Sequence, residues 1–128
     1  MQTDGHFING HIEKDEARIQ QDCYVWFHNS FPELRGLLCY NLNNSKNMVD
    51  GALNKSKGLV KGRSDMEFNY MGVTTFIELK TPNGFQSQEQ KEWQKKIELQ
   101  GFKYHIVRNL EEFQKVIEDV LQHVKILE

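Results

Sequence analysis

A predicted β-hairpin near the middle of the chain constrains the fold more than any other feature. Its strands would be Asp65–Tyr70 and Val73–Lys80, joined by a tight turn at Met71-Gly72. If the turn is centred on that pair, the strands pair antiparallel and Asp65 lies directly opposite Glu78. Side chains opposed in this way share one face, with their Cβ atoms about 5 Å apart, and a one-residue slip would separate them.

Three charged side chains would then lie together on that face. Lys80 follows Glu78 by two residues, so on a strand it projects from the same side. Opposed like charges such as Asp65 and Glu78 are destabilising unless a cation lies between them, and a divalent metal ion is the obvious candidate. Two acids, a lysine and a metal ion are the minimal set for metal-assisted cleavage of a phosphodiester. The alternative is a solvated strand end with an internal Glu78–Lys80 ion pair.

Composition indicates one soluble, globular domain. The chain has 128 residues, of which 38% are hydrophobic and 27% charged, and this length allows a single domain with its own core. Residues 1–10 are predicted to be a loose leader. No apolar run approaches the roughly 20 residues of a membrane-spanning helix, and the first residues are too polar for a signal peptide. We therefore expect a cytoplasmic protein, in a host cell's cytoplasm if a phage encodes it.

The cysteines, the absence of common sequence motifs and the net charge restrict the classes of protein to which the chain could belong. Cys23 and Cys39 are predicted to be small buried residues rather than a disulfide or a zinc pair. No zinc, P-loop or dinucleotide-binding motif is present, which disfavours those enzyme classes. The formal net charge of −2 argues weakly against tight non-specific DNA binding. Residues 46–63, however, contain five Lys or Arg and a single Asp, and this basic segment directly precedes Asp65.

Hydrophobic periodicity and turn signals predict elements in the order α-β-α-β-β-α-β-α. Besides the hairpin, these are helices over Ile12–Asn29 and Met48–Ser56, a strand over Leu37–Leu42, a helix from Ser87 to Gln100, a strand over Lys103–Arg108 and a last helix after the N-cap Asn109. Gly101 is the predicted C-cap of the third helix. This order predicts an α/β fold with a small mixed sheet flanked by helices on both sides.

Two further residues have two interpretations each. Glu16 falls on or beside the apolar stripe of the first predicted helix, where an unpaired carboxylate would be costly. It is either a boundary residue of a slightly rotated helix or a further acid aimed at the metal site. Gln90 is either the capping-box partner of Ser87 or, if its side chain turns toward the hairpin, a member of the same site.

With Glu16, Asp65, Glu78-Leu79-Lys80 and Gln90 identified, the chain resembles the PD-(D/E)XK nuclease superfamily. More narrowly, it resembles the VRR-NUC domain, the virus-type replication-repair nuclease. The resemblance spans roughly residues 16–107. Its most specific part is the block of residues 58–65 followed by Glu-Leu-Lys and Ser-x-x-Gln, since a lone Glu-x-Lys would carry little weight.

Two positions depart from the superfamily pattern. Ser64 stands where the name-giving proline precedes the acid, a change that this diverse group tolerates. The usual Asn-Gly after the first strand is blurred into Asn41-Leu42-Asn43-Asn44, which leaves the role of those asparagines open.

The resemblance implies a restriction-endonuclease-like core and a divalent-metal-dependent DNA endonuclease that selects branched or junction DNA. Asp65 and Glu78 would ligate Mg²⁺ or Mn²⁺, with the backbone carbonyl of Leu79 as a neutral third ligand. Glu16 would complete the site through the metal or through a water.

The resemblance also implies roles for the flanking polar residues. Lys80 would orient the attacking water and stabilise charge on the phosphate. Gln90 would hold a water, the lysine or the scissile phosphate. Lys57, Lys61 and Arg63 would contact backbone phosphates. The resemblance further implies that a chain this short works as a homodimer. Two rival functions remain: a DNA-binding or assembly module of the same fold that does not cut, and a metal-dependent hydrolase with a non-nucleic substrate.

Overall fold

The computed structural model describes residues 5–41 and 48–127, with side chains described for residues 15–41 and 49–123. Its elements are α1 (Gly5–Ser30), a short 3-10 helix (Pro32–Leu34), β1 (Leu38–Tyr40), α2 (Met48–Ser56), β2 (Met66–Tyr70), β3 (Val73–Leu79), α3 (Gln88–Leu99), β4 (Lys103–Val107) and α4 (Leu110–Leu127). The predicted order of helices and strands is confirmed. None of the described helices is both long and apolar enough to cross a membrane.

The four strands form one mixed sheet in the order β1-β2-β3-β4. The β1–β2 and β2–β3 pairs are antiparallel, and the β3–β4 pair is parallel. A parallel pair needs a crossover, and α3 supplies it. The predicted fold class, a small mixed sheet flanked by helices, is confirmed.

The hairpin has the predicted register. Met66 pairs with Ile77 at its open end, so one further step places Asp65 opposite Glu78. The turn residues Met71 and Gly72 have φ values of 50° and 81°, and positive φ at both positions is typical of the two-residue turns that match the twist of a hairpin.

Helices pack on both faces of the sheet. On one face, α1 and α4 pack on a core that includes Phe27, Phe68, Ile77, Phe113 and Ile117. On the other face, α3 packs through Trp93, whose ring lies 5.2 Å from that of Phe76. Phe76 and Ile77 are consecutive in β3, so they point to opposite faces of the sheet and pack into the two different layers.

The predicted caps of α3 and α4 are confirmed. Ser87 and Gln90 form both hydrogen bonds of a capping box at the start of α3. Gly101, with φ 95°, follows the last turn, and its N–H donates to the Glu98 carbonyl at 3.0 Å. Asn109 Oδ1 accepts from the Glu112 N–H at 2.8 Å and caps α4.

Two predictions about the first third of the chain are wrong. α1 begins at Gly5 rather than at Ile12, so residues 5–10 are helical and not a loose leader. Once a helix is nucleated, each further residue adds a hydrogen bond at small cost. Cys39 is exposed, although Cys23 is fully buried as predicted. Cys39 lies on the edge strand β1 opposite Glu67, and α3 covers the sheet over β3 and β4 instead.

Three other details differ or fall outside the description. β1 is shorter than the predicted strand, covering Leu38–Tyr40 rather than Leu37–Leu42. Asn43 and Asn44, two of the asparagines after the first strand, lie outside the described residues, as does Lys46 at the start of the basic segment.

Candidate active site

A cleft of about 530 Å³ opens at the carboxyl end of β3. It lies between α1, the loop before β2 and the start of α3. Of the residues predicted for the site, those that line the cleft are Glu16, Lys61, Arg63, Asp65, Leu79 and Gln90. The fold thus brings together side chains from four separate segments of the sequence.

Asp65 is held in the cleft from both neighbouring strands. Its Oδ2 accepts a hydrogen bond from the Leu79 N–H at 2.7 Å, and its backbone carbonyl accepts from the Asn41 N–H at 2.7 Å. Burial raises the pKa of Asp65 from 3.8 to about 6; the bond from Leu79 opposes the rise, and the negative charges of Glu78 and Glu16 add to it.

Glu78 is fully buried, and the hydrogen bonds that it accepts from the described residues all go to one of its two oxygens. Its Oε1 accepts hydrogen bonds from the Tyr104 hydroxyl and from Gln86 Nε2, the latter at 3.1 Å. Its Oε2 is buried and accepts no hydrogen bond from the described part of the chain. A buried carboxylate oxygen without a hydrogen-bond donor is energetically costly. A positively charged group close to this oxygen would offset that cost.

Lys80 lies between two acids. Its Nζ is 3.9 Å from Glu78 Oε2 and 4.0 Å from Glu16 Oε1, and its side chain is only 10% exposed. These distances give attraction without a short hydrogen bond to either carboxylate. Glu16 is therefore a partly exposed boundary residue of α1, and it also lines the cleft. Its part in a metal site stays a prediction.

The donor atoms at the end of the hairpin fit a hard divalent cation. Glu78 Oε2 lacks a donor, and Asp65 keeps one oxygen beyond its bond to Leu79. Because the N–H and C=O of one residue in a strand point to the same side, the Leu79 carbonyl faces the Asp65 side as well. Among the described residues, no three His, Cys, Asp or Glu side chains form a metal cluster. The carbonyl and waters would have to complete the set, as Mg²⁺ often requires.

Gln90 is engaged at the helix end. Its Oε1 accepts from the Ser87 N–H at 2.7 Å, and its own N–H donates to Ser87 Oγ at 3.2 Å. The capping interpretation is thus confirmed. Gln90 also lines the cleft, so a part in catalysis stays a prediction.

The three predicted phosphate contacts differ in position. Lys61 is exposed and lines the cleft. Arg63 lines it too, but its guanidinium pairs with Glu67 at 2.9 Å. Lys57 is exposed just after α2 and is not among the cleft-lining residues. Lys61 is therefore the best placed of the three.

The loop before Asp65 is fixed in place by Gly62, which lies within the motif of residues 58–65. Gly62 has φ 83°, and a Cβ at this position would lie 2.4 Å from the backbone C and O of Glu89. The loop therefore packs directly against the first turn of α3. Only a glycine allows that approach without displacement.

Two further residues, Arg108 and Tyr104, support the site without any sequence motif that points to them. Arg108 Nη1 donates to the carbonyls of Thr81 at 2.7 Å and Gly84 at 2.9 Å, which braces the turn after β3. Burial raises the pKa of Tyr104, so its hydroxyl keeps the proton that it donates to Glu78. Neither residue belongs to a local motif, because each contact joins positions more than 20 residues apart.

Comparison with known proteins identifies the fold. No family model matches the sequence, and no curated protein matches it. A solved structure described as a "VRR_NUC domain protein" superimposes with a TM-score of 0.69 over 82% of this chain and 86% of that one, at 16% sequence identity. The chain therefore has the same α/β fold as that VRR_NUC domain protein, which agrees with the fold predicted from the sequence.

Proposed function

We propose that this chain is a divalent-metal-dependent endonuclease that hydrolyses DNA phosphodiester bonds. The observation that carries the proposal is the buried Glu78 Oε2, which lacks a hydrogen-bond donor in the described chain and lies 3.9 Å from Lys80. Asp65 lies opposite Glu78 in the hairpin register and lines the open cleft. An acid pair with one uncommitted buried oxygen and a lysine is suited to a cation rather than to a purely structural role.

Asp65, Glu78 and the Leu79 carbonyl would hold Mg²⁺ or Mn²⁺, with Glu16 contributing directly or through a water. The bound cation would lower the pKa of the attacking water and polarise the phosphoryl oxygen. The all-oxygen donor set supports these ions over softer metals.

The chain's own residues would position the substrate and the proton transfers. Glu78 and Glu16 hold the Lys80 ammonium at about equal distances, where it would orient the nucleophilic water and offset charge on the phosphate. Lys61 at the cleft would contact a backbone phosphate, which supplies affinity without reading the base sequence. Gln90 would contribute through its side-chain nitrogen, since its oxygen is bonded to Ser87.

A DNA-cleavage assay tests the proposal. Supercoiled plasmid should be nicked with Mg²⁺ or Mn²⁺ and left intact with EDTA. Lys80→Ala should lower the rate by about 10²–10⁴-fold, while Lys103→Ala, an exposed lysine on β4, should leave it unchanged. Cleavage that persists in EDTA or in Lys80→Ala would contradict the mechanism. Metal-independent DNA binding without cleavage under any divalent ion would instead support a non-cutting module.

The preference for branched DNA and the homodimer are the finer parts of the proposal. Both rest on the resemblance to short VRR-NUC domains. A four-way junction should be cut faster than a linear duplex of the same sequence, and sedimentation should give twice the mass of one chain. Equal rates on the two substrates would remove the structural selectivity while leaving the nuclease assignment intact.

A further inference from the structure

We propose that Tyr104 and Gln86 are positioning residues that hold the Glu78 carboxylate with Oε2 directed to the metal. This inference rests on the proposed function, and it adds two residues outside the predicted site. Both side chains donate to the same oxygen, Oε1. The carboxylate is therefore satisfied on one side only, and its second oxygen is kept for a cation.

Tyr104 reaches Glu78 from the neighbouring strand. In the parallel β3–β4 pair, Tyr104 is opposite Phe76, two residues before Glu78 and on the same face of the sheet. Tyr104 is 7% exposed, and its ring lies 6.0 Å from that of Trp93. Because packing against Trp93 fixes the ring, the hydroxyl has a defined position from which to donate to Oε1.

Gln86 connects the same oxygen to the helix on that face. Its Nε2 donates to Glu78 Oε1 at 3.1 Å and to Gln94 Oε1 at 2.8 Å. A side-chain amide nitrogen has two hydrogens, so both are used and the amide cannot turn over without losing a bond. The acid is thereby tied to α3 through Gln94.

The asymmetry of these contacts determines how the carboxylate can move. A partial rotation of the Glu78 carboxylate about its last bond would weaken both hydrogen bonds to Oε1, and a half-turn would only exchange its two equivalent oxygens, so the plane of the group and the direction of its second oxygen are fixed. Residues that hydrogen-bond a metal ligand in this way orient it, and their loss typically weakens metal affinity about 10–100-fold. Tyr104 and Gln86 should therefore affect metal binding even though neither would touch the metal.

Calorimetric titration of Mn²⁺ into the full chain without DNA tests the inference. Tyr104→Phe removes one hydroxyl and keeps the ring, and it should raise the Kd about 10–100-fold. Gln86→Leu should raise it as well. Tyr70→Phe is the matched control, because Tyr70 is a half-buried tyrosine of the same sheet that stacks on Phe68, and its Kd should equal that of the wild type.

The outcomes separate this inference from the proposed function. An unchanged Kd in Tyr104→Phe and Gln86→Leu, with Mn²⁺ binding intact in the wild type, would overturn the positioning role alone. A lower melting temperature with an unchanged Kd would likewise reduce both residues to structural ones. A wild-type chain that binds no Mn²⁺ would contradict the proposed metal site itself. If Tyr104→Phe fails to fold, Gln86→Leu decides between the same outcomes.

Discussion

The backbone N–H of Leu79 donates to Oδ2 of Asp65 at 2.7 Å and joins the end of β3 to the acid that precedes β2. This bond favours the charged carboxylate, yet burial and the nearby acids raise the pKa of Asp65 to about 6. The site is thus built to hold a carboxylate in surroundings that disfavour its charge. A cation in the cleft would reverse that balance.

The raised pKa of Asp65 predicts a pH-dependent stability of the metal-free protein. Between pH 3.8 and about 6 the folded state binds this proton and the unfolded state has released it, so stability falls as pH rises. The cost is complete above pH 6 and corresponds to about 3 kcal/mol. Asp65→Asn removes the titrating carboxylate and with it this cost. Relative to the wild type, the free energy of unfolding of the variant should therefore rise by about 3 kcal/mol between pH 3.5 and pH 7.5.

Urea denaturation in EDTA across this pH range provides the measurement. Glu98→Gln, which changes an exposed acid near the end of α3, controls for the loss of one charge. A constant difference between Asp65→Asn and the wild type at all pH values would show that Asp65 titrates normally.

Gly62→Ala should destabilise the fold more than Gly58→Ala. Both glycines have positive φ. An alanine held in that backbone conformation is expected to lower the stability by about 1–2 kcal/mol at either position. At Gly58 a Cβ meets nothing within 4 Å, but at Gly62 it meets the Glu89 backbone at 2.4 Å. The forced displacement should add about 1–3 kcal/mol.

Denaturation midpoints of the two alanine variants, compared with the wild type, measure this difference. Gly62→Ala should also slow DNA cleavage, because the displaced loop carries Lys61 and leads into Asp65. Equal stability of the two variants would mean that the loop does not pack on α3 as described.

Arg108→Ala should loosen the turn after β3. Arg108 Nη1 donates to the Thr81 and Gly84 carbonyls, and hydrogen bonds from a charged donor contribute about 1.5–3 kcal/mol each at most. A Cβ on Gly84 would lie 3.5 Å from Glu16 Oε1, so movement of this turn should also displace the acid of α1.

The melting temperature and the cleavage rate should both fall in Arg108→Ala. Arg35→Ala is the control, since Arg35 donates one exposed hydrogen bond, to the His28 carbonyl at 2.9 Å, on the connection after α1. Its cleavage rate should equal that of the wild type. A matching loss of activity in both variants would point to a general effect of removing an arginine.

The hairpin could be predicted from sequence because its geometry depends on neighbouring residues. A two-residue turn at Met71-Gly72 sets the register, and the register alone brings Asp65 opposite Glu78. The caps at Ser87 and Asn109 are equally local. These features required no knowledge of which elements pack together.

The contacts of Glu78 could not be predicted in the same way. Tyr104 is 26 residues away and reaches Glu78 only because β4 lies parallel to β3. The exposure of Cys39 likewise depends on which strands α3 covers, and an apolar strand pattern does not reveal that β1 is at the sheet edge. Tertiary arrangement, rather than local propensity, decided both.

Glu78 is the residue proposed to hold the divalent cation that supports DNA cleavage, and the rate of Mg²⁺-dependent plasmid nicking by Glu78→Gln measures this role. Glutamine keeps the size of the side chain and an oxygen for Tyr104 but removes the charge at Oε2. Because loss of partners that only orient a metal ligand costs about 10–100-fold, Glu78→Gln should lose more than about 100-fold, while Glu98→Gln should match the wild type. Nicking by Glu78→Gln at the wild-type rate would show that Glu78 does not hold the catalytic metal ion.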